Sequence, residues 1–179
     1  LSAEEGRLLA SERRPIVLLG KRRDIPGVAP NLGEVGFMLP YTPLHHLLLE
    51  NLEIIVATSS NLRDAPIMKD DEEGVEKLCD AVLTHDRPIE MRADDSVLKV
   101  VGGRPLFVRR ARGYVPYPQK VPDGFGSKKP ILALGGELKD TVSLFKHGYV
   151  VTSQFLGDLD EYENRAYLEE TVSHLTRLF

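Results

Sequence analysis

Apolar positions in this chain fall in short, strand-length blocks separated by polar stretches rich in glycine and proline. Ile16-Val17-Leu18-Leu19, stopped by Gly20, predicts a strand covered on both faces. Before it, residues 3–10 predict a short helix with Leu8 and Leu9 on its apolar side, ended by Arg13-Arg14-Pro15. Residues 21–36 carry glycine, proline and charge, and predict a long loop. Val35-Gly36-Phe37-Met38-Leu39 resumes a strand, broken at Pro40-Tyr41-Thr42-Pro43. Thr42 suits a helix N-cap with Pro43 in the first position, and Leu44, Leu47 and Leu48 give that helix its apolar face. Glu53 to Ala57 predicts a further buried strand that runs into the polar turn Thr58-Ser59-Ser60-Asn61.

Helical periodicity is clearest over residues 71–82, where Val75, Leu78, Cys79 and Val82 share a face behind Asp70 or Asp71 as cap. That pattern places Cys79 in a core. Ser96 to Val101 and Arg104 to Arg109 flank Gly102-Gly103, a pair suited to the positive φ angles of a tight hairpin. Prolines and glycines between 116 and 130 predict a linker. Ile131 to Leu134 then predicts a strand ending at Gly135-Gly136. A second hairpin turns at Lys146-His147-Gly148, and a last helix over about 160–178 carries Leu168, Val172, Leu175 and Phe179, with Asp158 or Asp160 as cap. These elements make an α/β chain. Its last segment, about 50 residues, is too short to enclose a core alone, so it should open a larger domain or pack on the first unit.

Hydrophobic residues at 42% and charged residues at 28% suffice for a folded core. The net charge of −4 argues against a basic nucleic-acid coat. A single cysteine excludes an internal disulfide and a multi-cysteine zinc site, and fits a reducing compartment. No stretch approaches the ~18 apolar residues of a membrane span, and the N-terminus has no basic region leading into an apolar run. The sequence begins without methionine, inside an apparent helix, which suggests a piece of a longer polypeptide.

Three clusters could carry chemistry. Thr58-Ser59-Ser60-Asn61, after an expected strand, places hydroxyls and an amide where open α/β sheets bind ligands; the same letters also make an ordinary Asx or serine turn. Arg104, Arg109, Arg110 and Arg112 are concentrated at a strand end, with Arg92 beside Asp94-Asp95. Guanidinium forks match phosphate oxygens, although charged residues also protect an exposed strand edge. His45-His46 lie side by side on a helix and diverge too far to share a metal ion. There is no Walker A pattern, no GxGxxG after a strand, no HExxH and no GxSxG.

Several of these segments together resemble the hydrogenase-maturation carbamoyltransferase family HypF. They are Gly36 to Leu48, Thr58 to Ile67, Asp94-Asp95-Ser96-Val97, Arg109 to Tyr114, Leu134 to Lys139, and Ser153 to Leu159. The resemblance implies that residues 1–119 are the C-terminal part of a YrdC-like domain with a twisted mixed sheet, that 120–130 link, and that 131–179 open a TsaD-like domain of the actin/hexokinase/Hsp70 type. It implies an enzyme that uses carbamoyl phosphate and ATP with Mg2+ to form carbamoyl-adenylate. The carbamoyl group then passes to the C-terminal cysteine of HypE and becomes a cyanide ligand of nickel–iron hydrogenase. Such an enzyme would be cytoplasmic, and would act without nucleic acid or membrane.

By the same resemblance Ser59 and Asn61 match a nucleotide-binding S-x-N pair, and Arg109 a strand-end arginine on the phosphates. Thr42, Ser96 and Arg112 are pocket neighbours. The family's K-x-R pair has no convincing counterpart; Lys21-Arg22-Arg23 matches by letters only. Zinc or iron sites belong to parts of the parent protein outside this sequence, and Phe155 stands where many relatives carry histidine. Two other readings stay open: a threonylcarbamoyl-adenylate synthase of tRNA modification, and a non-catalytic docking module.

Overall fold

The computed structural model describes residues 1–61, 65–69, 78–124 and 127–179. The chain divides into two compact units. One is Leu1–Ala57 with Asp95–Tyr114, the other Thr58–Asp94 with Val115–Phe179.

In the first unit, helix α1 (Ala3–Ala10) starts at a capping box: Ser2 accepts from the Glu5 amide and Glu5 accepts from the Ser2 amide. Strands β1 (Ile16–Gly20) and β2 (Glu34–Phe37) follow, then helix α2 (Pro43–Leu48) and the hairpin β3 (Val97–Val101) and β4 (Arg104–Arg109). The sheet order is β2-β1-β3-β4, with β1 and β3 parallel and the other pairs antiparallel. Leu8, Leu9, Val17, Leu98 and Tyr114 form the core. Gly36 opposes Leu18, and a Cβ on it would lie 2.8 Å from Ile16 Cγ2, so the strand pair needs glycine there. Gly102 and Gly103 both hold positive φ, 57° and 76°, as the tight turn requires.

In the second unit, β5 (Gln119–Lys120), β6 (Ile131–Leu134), β7 (Val142–Lys146) and β8 (Tyr149–Thr152) form an antiparallel sheet in the order β5-β8-β7-β6. Helix α3 (Tyr162–Leu178) packs on β7. Val142, Val151, Leu156, Tyr167 and Leu175 are its core, joined by Met91 from the 58–94 segment. No helix among the described residues is long and apolar enough to cross a membrane.

Three expectations need correction. Glu53 to Ala57 is not a strand: it is irregular and exposed, with Ile54 at 69% and Val56 at 81%. Apolar content alone does not make a strand without a paired edge, and both sides of β1 are taken by β2 and β3. Of the helix expected over 71–82, residues 71–77 lie outside the described residues, while 78–82 are turn and coil, and Cys79 is exposed rather than in a core. At the start of the expected linker lies a two-residue edge strand, β5, which pairs with β8 and leaves that expectation standing. Glu161, not Asp158 or Asp160, is the N-cap of α3; Asp158 instead accepts from the Lys139 amide at 2.7 Å. Helix α2 does form behind Thr42, but its leucine face is exposed.

Candidate functional site

In the first unit, three of the six expected site residues, Ser96, Arg109 and Arg112, gather at Asp95, and Thr42 follows Tyr41, which also reaches it. As β4 ends, the chain turns back and Arg112 forms a parallel bridge with Asp95. Arg112 Nε donates to Asp95 Oδ1 at 2.5 Å, and its two terminal nitrogens donate to Arg13 O at 3.2 Å and Arg14 O at 2.8 Å. The same guanidinium lies 3.5 Å from the Tyr41 ring centroid, and Tyr41 donates its phenol to Asp95 Oδ1 at 3.3 Å. Burial, with Asp95's charge behind it, pushes the Tyr41 phenol above its usual range; Arg112 pulls the other way.

This crossing of chains has local causes. Arg14 holds a left-handed backbone, φ 43°, and Arg112 takes its carbonyl. Gly113, φ 85°, passes so close to Arg13 that a Cβ would lie 2.9 Å from its carbonyl oxygen. A side chain at Gly113 would therefore force the Arg13 segment to move.

Ser96 is fully buried. Its hydroxyl donates to Arg112 O at 2.9 Å and accepts from the Ala111 amide at 2.8 Å. It pins the segment after β4 to the start of β3, so its hydroxyl is spent on the chain. Arg109 Nε donates to Asp95 O at 2.9 Å. Arg110 donates to Tyr114 O at 2.7 Å, and burial, then Arg13, lowers its pKa. Thr42 accepts from the His45 amide at 3.1 Å, and the His45 ring stands edge-on to Tyr41 at 4.5 Å. The sequence pattern marks neither Tyr41 nor Asp95 as a site residue. The Pro-Tyr-Thr-Pro break and the Asp-Asp pair were the available signals.

Ser59 and Asn61 belong to the second unit. Ser59 donates to Asn61 Oδ1 at 2.5 Å, and Asn61 Nδ2 donates to Ala65 O at 3.2 Å. Ser60 O accepts from the Met68 amide at 2.8 Å. The turn therefore holds its own hydroxyl and amide in register, and Ser59 is exposed.

Lys21 is turned inward: Nζ donates to Val28 O at 3.2 Å and Ala29 O at 2.6 Å, closing the loop that follows β1. Arg22 and Arg23 line a cleft of about 360 Å³ with Leu19, Val35 and Phe37. Among the described residues, no group of three or more His, Cys, Asp or Glu could hold a metal ion.

Residues 2–111 match the Sua5/YciO/YrdC family model, described as telomere recombination, and residues 126–179 match that of the HypF Kae1-like domain. A crystal structure of full-length HypF in its phosphate- and nucleotide-bound form covers 100% of this chain at 43% identity, with a TM-score of 0.90. The chain belongs to the HypF family. The HypF structure from T. kodakarensis covers 98% of it at 37% identity and a TM-score of 0.86. Carbamoyltransferase HypF of Synechocystis is 44% identical over 98% of the chain. The chain spans about a quarter of the length of these HypF relatives: 24% of the Synechocystis protein and 29% of the nucleotide-bound structure.

Proposed function

We propose that this chain is the part of a HypF-type carbamoyltransferase that holds the nucleotide while carbamoyl-adenylate forms. Residues 1–119 would be the C-terminal part of the YrdC-like domain, 120–130 the link, and 131–179 the start of the TsaD-like domain. The family matches over 2–111 and 126–179 support that division. The substrates are carbamoyl phosphate and ATP, the latter carrying Mg2+ on its phosphates. The acceptor is the C-terminal cysteine of HypE, in the cytoplasm.

The observation that carries this reading is the likeness of the whole chain to a HypF crystallised with phosphate and nucleotide. The residue chemistry agrees with it. Adenylate formation is in-line attack of a carbamate oxygen on the α-phosphorus, with pyrophosphate leaving. The protein supplies positioning and charge neutralisation more than covalent chemistry. Ser59 and Asn61, held to each other at 2.5 Å, are neutral hydrogen-bonders suited to the nucleotide. Arg109 supplies a guanidinium for the phosphates. Ser96 and Arg112 build the turn on which Arg109 is carried, and Thr42 caps the helix that follows Tyr41.

Calorimetric titration with ATP tests the reading. The unaltered chain should bind, and Asn61→Ala should weaken binding by on the order of tenfold, about one charge-neutral hydrogen bond plus the lost partner of Ser59. Binding that is indifferent to Asn61, or no binding by a folded sample, would refute it. The second result combined with tight binding of HypE would favour a docking module.

A further inference from the structure

The turn that carries Ser59 and Asn61 is tied to helix α3 by one carboxylate. Glu170 accepts from Lys69 Nζ at 2.7 Å on one oxygen and from Arg92 Nη1 at 2.9 Å on the other. Arg92 is fixed further: Nε donates to Ile67 O at 2.8 Å, the guanidinium lies 5.4 Å from the Tyr167 ring centroid, and its carbonyl accepts from the Tyr167 phenol at 2.7 Å. Segment 65–69 is thus gripped at a side chain, Lys69, and at a main-chain carbonyl, Ile67. That segment in turn grips the turn. The Met68 amide donates to Ser60 O, Ser60 Oγ donates to Met68 Sδ at 3.4 Å, and Asn61 Nδ2 donates to Ala65 O.

We propose that Glu170 is a positioning residue for the Ser59–Asn61 turn, holding it in the form that takes the nucleotide; this rests on the nucleotide reading above. All these contacts lie within the second unit. They nevertheless join two sequence families. Ser59, Asn61, Lys69 and Arg92 fall within the match over 2–111, and Glu170 within the match over 126–179. A lone surface ion pair would do little, since exposed pairs contribute about 0–1 kcal/mol. This carboxylate differs in that it holds two cations at once, with Lys69 and Arg92 only 23% and 17% exposed, and Arg92 also fixes a backbone carbonyl. Removing it takes away the shared anchor of both cations and loosens their grip on the 65–69 segment.

Hydrogen exchange at the Met68 amide is the direct test, on the 179-residue chain and its Glu170→Gln and Glu170→Ala variants. Both variants should speed Met68 exchange by on the order of tenfold, while amides of β7 and β8 keep their rates. The glutamine keeps the size and helix propensity of the original, so a change confined to the turn is not misfolding. Unchanged Met68 exchange in both variants overturns the proposal. ATP titration supplies the second readout. Glu170→Gln should weaken binding several-fold with an unshifted thermal midpoint, and Lys69→Met should add little on top of it. Faster exchange with unaltered affinity overturns the link to the nucleotide. Absence of ATP binding by the unaltered chain overturns the nucleotide reading itself, and the exchange result then still decides whether Glu170 orders the turn.

Discussion

Arg112→Lys keeps the positive charge and removes the fork. In the native chain the guanidinium donates to Arg13 O and Arg14 O, pairs with Asp95 and covers the Tyr41 ring. Each carbonyl bond contributes about 1 kcal/mol net. The ion pair contributes about 1 kcal/mol, since the attraction between two partly buried charges is largely offset by their desolvation. The cation–π contact adds about 0.5–1 kcal/mol. A lysine ammonium can reach one of these acceptors and cannot lie flat on the ring. The expected net loss is therefore about 2–3 kcal/mol, confined to the first unit. Urea unfolding followed by far-UV circular dichroism measures it. Exchange of the Ile16 and Ala111 amides, both bonded to Ser96, reports that unit alone. Were Arg112 instead held in reserve for phosphate, the variant would lose under about 0.5 kcal/mol of stability and all ATP binding. That pair of results would sink the reasoning.

Ser96→Ala should cost about 2–3 kcal/mol by the same unfolding assay, since it strips a buried amide of its acceptor and a carbonyl of its donor. Tyr167→Phe should flatten the alkaline limb of the stability curve. Burial raises the Tyr167 phenol above its free value in the folded chain, so the unfolded chain ionises first and stability falls as pH rises past about 10; urea midpoints from pH 8 to 11 in both chains check this.

The hairpin turns and the α2 cap were legible in the sequence because their chemistry is local; the α3 cap was not, because Asp158 bonds the Lys139 amide instead. Gly102-Gly103 set the first hairpin, His147-Gly148 the second, and Thr42-Pro43 the start of α2. Glu53 to Ala57 misled because an apolar run has the same letters whether it fills a sheet or is left bare. Helix α3 shows a second limit. The pattern points to Leu168, Val172, Leu175 and Phe179; Leu175 is in the core and Leu168 and Val172 pack half-buried against it, but Asn164, Tyr167 and Thr171 are buried too. Gln154 explains the difference: its amide donates to the Tyr167 phenol at 2.9 Å and to the Thr171 hydroxyl at 3.3 Å, so polar residues turn inward. A hydropathy pattern cannot register a partner outside the helix. The candidate site was legible as residue types and not as partnerships. Arg112 and Ser96 were visible in the sequence, but their engagement with Asp95, Arg13, Arg14 and Ala111 depends on chain crossings that no local spacing encodes.

Both units meet the same demand in a similar way. In the first, Asp95 meets Arg112 with its carboxylate and Arg109 with its carbonyl, so one residue aims two guanidinium groups. In the second, Glu170 holds Lys69 and Arg92, and through them the segment bonded to Ser60 and Asn61. Placing a carboxylate among cations reduces the local positive potential, which by itself weakens attraction for a polyphosphate. What is gained is order: a guanidinium already fixed by the protein loses less freedom when a ligand arrives. On the proposed chemistry, aligning a carbamate oxygen with the α-phosphorus rewards fixed direction more than raw charge. The acids beside these arginines and this turn would then serve positioning, and the net charge of −4 is compatible with that proposal.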